Sequence, residues 1–414
     1  MFFHSKKLLV FLGIVIILLI VLVYVVNLNA IPNSIILFED SKPSLETIAG
    51  IKVKEVDSKK EDEALQISTN IDKNISNTAQ RKKYNLSILG INLKTVTANI
   101  IEDRKVIPLG NIAGLKLYTE GVLVVGTSEV KDENGNIYKP YENLGIEIGD
   151  SILKINNTDI HSTEELLECV SKCKGEKINL TYRNGEKEIT SNIQPIKTSE
   201  NTYKLGLWVR DAAAGIGTLS FYDKLTNSIV SLGHGIQDID TGDIVEISSG
   251  EFVTTSINNV KIGKKQNPGK IEGSIENSNK IGEIYSNTKF GVYGHIVSNE
   301  YIDLDSSKEV SIALRNEIKE GEATIISTLE NGKTESYKVN IQKVFKNNNE
   351  NNKSMIVKVT DKKLLQQTGG IIQGMSGSPI IQNGKLVGAL THVLVSDPTT
   401  GYGVFADLMV NELK

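Results

Sequence analysis

The sequence predicts a mainly β protein behind one N-terminal apolar helix, and three observations predict it. Residues 8–26 are apolar throughout except for Gly13. The C-terminal half sets short apolar runs between glycines, with Asn331-Gly332 and Asn383-Gly384 as hairpin turns. Residues 200–414 show little long helical periodicity. At 414 residues the chain can hold two or three domains, and 39% hydrophobic with 23% charged residues is the balance of a folded protein. Forty-six basic against fifty acidic side chains leave a formal charge of −4, which argues against nucleic acid as a partner. Two cysteines rule out a disulfide-dense scaffold and a four-cysteine zinc site.

Residues 1–30 read as a cytoplasmic stub and a membrane anchor. The apolar run at 8–26, rising about 1.5 Å per residue, is long enough to cross a bilayer core. Lys6 and Lys7 precede it, whereas the first charges after it are Glu39 and Asp40. Basic flanks stay in the cytoplasm, so the body of the chain is expected outside it. The run exceeds the roughly 7–15 residues of a signal-peptide core, and Leu28-Asn29-Ala30 is a poor cleavage site, which favours a retained single-pass anchor.

Residues 31–103 read as an extracytoplasmic segment with apolar runs at 35–38 and 51–53. A polar, charge-mixed arm at 54–83 is open to proteolysis, and a second apolar stretch covers 85–96. From 104 to 198 the pattern is compact. The run 121–126 is a buried strand between glycines, and a turn leads into a strand through Ile152, Leu153 and Ile155. Ser162 and Glu165 form a helix capping box. Leu166, Val170 and Cys173 follow at helical spacing, and Arg183-Asn184-Gly185-Glu186 turns a hairpin. Cys169 and Cys173, four apart on that helix, are expected as two small buried hydrophobes rather than a disulfide. This order of elements resembles a PDZ domain, most specifically over IEIGDSILKINNTDI. In that family a peptide adds as a strand beside a loop that holds its C-terminal carboxylate. By position the loop is 111–117, which makes Ile112, Gly114, Leu115 and Leu117 the peptide-binding candidates. Burial of Ile112, Leu115 and Leu117 in the domain's own core is the alternative.

The sharpest chemical string is Gly374-Met375-Ser376-Gly377-Ser378-Pro379, within the all-β stretch 199–414. A serine hydroxyl becomes a nucleophile only with a base to take its proton and donors where negative charge develops. Gly374 lets the backbone turn so that the N–H groups of Gly374 and Ser376 serve as oxyanion donors. Gly377 gives the substrate room to approach. The string resembles the G-D-S-G-G-P signature of chymotrypsin-like serine peptidases, with Met375 and Ser378 as departures, and so implies a double β-barrel with Ser376 as nucleophile. Among five histidines, His234, between glycines at the end of an apolar strand, is the leading base. His392 is the runner-up, with His295 also open. Asp361, just before the serine loop, leads as the carboxylate orienting the imidazole, with Asp238, Asp240 and Asp243 as rivals. One histidine near those aspartates is thin evidence for a metal, and no cofactor is called for.

Taken with the membrane run and the PDZ-like stretch, three strings carry a closer resemblance: GLWVRDAAAGIGTLSFYD, SLGHGIQDIDTGD and GGIIQGMSGSPIIQNGKLVGALTHVLVSDPTTGYGVF. They are similar to the stage IV sporulation protein B family, the PDZ-containing signalling serine peptidases of spore-forming Firmicutes. The resemblance implies that Ser376, His234 and Asp361 act together in a membrane-tethered serine endopeptidase. It further implies placement in the forespore membrane, with the catalytic part in the space between forespore and mother-cell membranes. It implies autocleavage of the N-terminal segment and cleavage of a membrane-bound regulator of an intramembrane protease, leading to sigma-factor processing. A non-catalytic PDZ-type adaptor whose β domain clamps a peptide is the alternative from another class.

Overall fold

The computed structural model describes residues 2–31, 33–38, 51–56, 81–88, 90–101, 104–329, 332–346 and 352–414. They form two compact units, one of residues up to 104 with 314–319, the other of 105–313 with 320–414.

In the first unit the apolar run forms α1 (Phe2–Ala30). Its stretch Phe11–Asn29 has a mean hydropathy of 3.1 and none of it is buried, as suits a membrane-crossing helix. The two apolar runs that follow form β1 (Ser34–Phe38) and β2 (Lys52–Glu55). With β3 (Arg81–Ile88) and β4 (Ile91–Ile101) they make a sheet in the order β1-β4-β3-β2. Period-two alternation turns Tyr84, Leu86, Val96 and Ala98 into one buried face. Residues 81–83, read above as the end of the polar arm, are therefore the start of β3, while 57–80 lie outside the described residues.

The second unit begins with β5 (Lys105–Pro108) and β6 (Ile112–Thr127). The PDZ-like elements follow as expected: β7 (Ser151–Ile155), α2 (Thr163–Lys172), β8 (Ile178–Asn184) and β9 (Lys187–Ile193). Ser162 caps α2 by accepting the Glu165 N–H at 3.1 Å, while the Glu165 carboxylate accepts the His161 N–H at 2.7 Å. Leu166 and Val170 pack on Val122, Ile152, Leu180 and Tyr182. Both cysteines are free and half-buried.

Two barrels follow, and they share one topology. The first comprises β6, β10 (Leu207–Asp223), β11 (Ser228–Ser231), β12 (Ile247–Lys261), β13 (Lys270–Thr288) and β14 (Gly291–Ile296). The pairings run β6-β10-β11-β14-β13-β12 and return to β6. The second comprises β15 (Gly321–Thr328), β16 (Thr334–Val344), β17 (Met355–Val359), β18 (Pro379–Gln382), β19 (Lys385–Leu394) and β20 (Asp397–Phe405), with α3 (Lys362–Thr368) between β17 and β18. It closes as β15-β16-β17-β20-β19-β18. In chain order both rings connect first-second-third-sixth-fifth-fourth, the double barrel expected from the glycine-serine signature. Leu115, Leu117, Leu219, Ile229, Phe252 and Val292 fill the first barrel. Ile325, Val339, Ile341, Val357, Leu390 and Val404 are buried on the strands of the second.

This topology corrects the reading of 111–117. Ile112, Gly114, Leu115 and Leu117 do not form a peptide-binding loop but the first strand of the first barrel. Leu115 pairs with Gly215 of β10 on one side and Phe252 of β12 on the other, so neither edge is free to accept a peptide. The core alternative holds for Leu115 and Leu117, which are buried. The same pairings give β6, from within 104–198, to the barrel, so the PDZ-like elements lie between its first and second strands.

Candidate active site

Ser376 lies in the loop that joins α3 to β18, and both barrels hold that loop. From the first barrel, the Thr218 N–H donates to the Ser376 carbonyl at 2.9 Å and the Thr218 hydroxyl donates to the Gly374 carbonyl at 2.7 Å. From the second, the Gly377 N–H donates to Leu390 O at 2.8 Å and the Leu390 N–H to Ser378 O at 2.9 Å. Gly377 has φ +98°, and a Cβ there would stand 2.0 Å from Thr218 O and 2.6 Å from Leu232 N. Its smallness thus serves the approach of two backbones, not the approach of substrate as expected above.

His234 follows β11 through a tight turn. Leu232 and Gly233 both take left-handed backbone, φ +66° and +68°. For leucine this conformation is unfavourable by ~1–2 kcal/mol, and burial of its side chain in the barrel core holds it there. The Leu232 N–H donates to Thr218 O at 3.2 Å, so one residue, Thr218, is bonded to the serine loop and to the histidine turn. The His234 Nδ1 lies 2.9 Å from the Gly235 carbonyl. A carbonyl oxygen only accepts, so Nδ1 carries the proton and Nε2 keeps its lone pair, the tautomer a general base needs. His392 stacks at a tilt on His234, ring centroids 4.8 Å apart.

Burial pushes the His234 pKa below the ordinary imidazole value, against a smaller opposite pull from the Gly235 carbonyl. For His392, desolvation by surrounding protein, the His234 charge and Lys353 push the pKa down to about 4, although the residue is exposed. The Ser376 hydroxyl donates to the Thr391 carbonyl at 2.6 Å and makes no hydrogen bond to either histidine. Catalytic bonds of this kind often tighten only when substrate is present. Among the described residues, the N–H groups of Gly374 and Ser376 have no hydrogen-bond acceptor, which leaves both free to receive an oxyanion. Ser378, by contrast, is fully buried and its hydroxyl has no partner.

The expected carboxylate sits elsewhere. Asp361 caps α3, accepting the N–H groups of Leu364 at 3.1 Å and Lys338 at 3.2 Å. Burial raises its pKa, but the N–H groups of Leu364, Lys338 and Lys363 outweigh that and hold it below the usual carboxylate range. Among the described residues, no carboxylate is hydrogen-bonded to the His234 ring, and the Gly235 carbonyl occupies the orienting position instead. The rivals Asp238 and Asp240 bind Arg210, and the Asp243 N–H donates to the Thr241 hydroxyl. No group of three or more metal-ligating side chains is assembled among the described residues. His295 stacks on Tyr285. An open cavity of about 570 Å³, lined by Asp132, Tyr138, Lys174, Gln194 and Tyr203 among others, lies in the PDZ-like module and shares no residue with the Ser376 site.

Sequence reasoning missed Thr218, the Thr391 carbonyl and Arg210. Thr218 and Arg210 lie inside GLWVRDAAAGIGTLSFYD, one of the strings that carry the family resemblance.

A profile of the family described as "SpoIVB peptidase S55" matches residues 201–410, just over half of the chain. A curated protein of Clostridium perfringens (strain 13 / Type A), named as a zinc metalloprotease, is 32% identical over 68 residues, 16% of this chain. The chain spans only 20% of that relative's length. Among solved structures, the PDZ domain of the SdrC-like protein from Listeria monocytogenes is 23% identical, with 22% of this chain and 87% of that chain covered and a TM-score of 0.18. The active form of the Rv3671c protease from M. tuberculosis is 12% identical, with 49% and 73% covered and a TM-score of 0.26.

Proposed function

Because the chain belongs to the SpoIVB peptidase S55 family, we propose that it is a membrane-tethered serine endopeptidase in which Ser376 is the nucleophile and His234 the base. The observation that carries this is Thr218, whose backbone is bonded to Ser376 on one side and to Leu232, two residues before His234, on the other, which supports the serine and the histidine acting together. Substrate displaces the Ser376 hydroxyl from the Thr391 carbonyl. The Ser376 Oγ attacks the scissile carbonyl carbon, and its proton passes to the His234 Nε2. The oxyanion is received by the N–H groups of Gly374 and Ser376. The imidazolium returns the proton to the leaving amine, and water, deprotonated by the same nitrogen, releases the acyl group. Asp361 supports the serine loop as the cap of α3 without touching the ring.

In this reading α1 anchors the protein in the forespore membrane, and Lys6 and Lys7 ahead of its apolar run keep the barrels extracytoplasmic. Its substrates are its own N-terminal segment and a membrane-bound regulator of an intramembrane protease in sporulation signalling. One observation favours the silent peptide clamp instead, namely the Ser376 hydroxyl held by a carbonyl rather than a histidine. Labelling with a fluorophosphonate separates the two. The peptidase forms a covalent adduct on Ser376 that disappears in His234→Ala, whereas the clamp forms none.

A further inference from the structure

A second set of bonds reaches the histidine loop from the PDZ-like module. Strand β10 shifts register against β6 partway along its length. Arg210 pairs with Leu123, in the half of β6 that packs with the module, whereas Ala212 pairs with Tyr118, in the half that closes the barrel. Asp211 sits at the irregularity between them. Its carboxylate accepts the Thr163 N–H at 2.7 Å, in the first turn of α2, where a negative charge is favoured. From the adjacent position the Arg210 guanidinium forks onto two carboxylates of the loop after His234. These are Asp238 and, at 2.7 Å, Asp240. Asp238 is 4% exposed. One of its oxygens also accepts the N–H groups of Asp240 and Thr241 at 2.9 and 3.0 Å, and its own N–H donates to Asp243 O at 2.9 Å. The loop is thus folded around Asp238, and Asp238 is neutralised by Arg210.

We propose that Arg210 is a positioning residue that fixes the histidine loop for catalysis and, through neighbouring Asp211, ties that loop to helix α2 of the PDZ-like module. The inference rests on the Ser376–His234 reading. A buried carboxylate stripped of its partner is strongly unfavourable, so the loop rearranges when the guanidinium is lost. Lysine keeps the charge but has no planar fork with which to hold both aspartates. His234 lies only four residues from Asp238 and moves with it.

The test follows fluorophosphonate labelling of the full chain, with the maximal inactivation rate and the probe affinity measured separately beside thermal melting. If the wild type forms no Ser376 adduct, the peptidase reading fails and this inference fails with it. If the wild type is labelled, Arg210→Lys is expected to lower the maximal rate about tenfold, since a misplaced base slows chemistry, with probe affinity little changed. Arg210→Ala should lower it further and recover in part with added guanidinium. Thr163→Pro removes the N–H that Asp211 accepts, yet places proline where a helix tolerates it; it should slow labelling about threefold without lowering the melting temperature. Should Arg210→Ala not fold, Arg210→Lys and Thr163→Pro decide. Wild-type rates in Arg210→Lys overturn the positioning role, and wild-type rates in Thr163→Pro overturn the tie to α2.

Discussion

Gly377→Ala tests how closely the serine loop and the histidine turn depend on one another. The φ of +98° is strained for alanine, by ~1–3 kcal/mol for such sparsely populated backbone. The new methyl would also stand 2.0 Å from Thr218 O and 2.6 Å from Leu232 N, both backbone atoms that cannot rotate aside. Overpacking of this kind is unfavourable by a further ~1–3 kcal/mol. The sum, about 2–6 kcal/mol, corresponds to a melting temperature lower by on the order of 10 °C for a unit of this size. Activity should fall further than stability, because the backbones forced apart belong to the serine loop and the histidine turn. A displacement of about 1 Å at reacting groups lowers rates by roughly a hundredfold. Gly384→Ala is the control, with φ +76° but nothing within 4 Å of the added Cβ. Differential scanning calorimetry and fluorophosphonate labelling below the transition measure both effects. If Gly377→Ala melts and labels like Gly384→Ala, the reasoning is wrong.

Four further outcomes follow from the same site. Ser378→Ala removes a buried hydroxyl that has no partner, so stability should hold or rise slightly and autoprocessing should continue, whereas Ser376→Ala should abolish it; gel analysis of purified full-length protein distinguishes them. Because burial lowers the His234 pKa, the base stays neutral into mild acid, and the midpoint of the acid limb of the labelling rate should lie below about 6.5. His392, held at about 4 in the fold, binds its proton first in the unfolded chain, near 6.5, so its share of stability is lost as pH falls from about 6.5 toward 4 and does not change above that window. Asp361→Asn keeps a capping oxygen and should label within about threefold of wild type, while Asp361→Ala should lower stability by ~0.5–2 kcal/mol; a drop of roughly ten-thousandfold in Asp361→Asn would instead place the carboxylate on the imidazole.

The apolar helix α1, the capping box at Ser162 and the Asn383-Gly384 turn were legible because each depends on local chemistry: hydropathy, a side chain reaching three residues on, two consecutive positive φ values. The string around Ser376 was legible because its glycines must turn a loop whatever surrounds it. Residues 112–117 were misread because an apolar run with one glycine suits a buried strand and a peptide-binding loop equally. Only pairing with Gly215 and Phe252, about 100 or more positions away, decides it. Asp361, expected as the third catalytic group, is bonded to the start of α3 and not to the His234 ring, for a related reason. An aspartate before a helix is a cap by local rules, and its position just ahead of the serine loop drew it toward catalysis. What orients His234 is a main-chain carbonyl, which no side-chain motif reveals. Thr218 escaped notice because its role is carried by its backbone, and the chain partners of that backbone are more than 150 residues apart on one side and close on the other.

The most direct measurement is a crystal structure of the full chain inactivated by a fluorophosphonate. The account predicts phosphorus on the Ser376 Oγ and a phosphoryl oxygen within hydrogen-bond distance of the N–H groups of Gly374 and Ser376. The His234 Nε2 should lie against the adduct, with its Nδ1 still on the Gly235 carbonyl. An adduct on another residue, or one on Ser376 with His234 turned away and another base in its place, would contradict it.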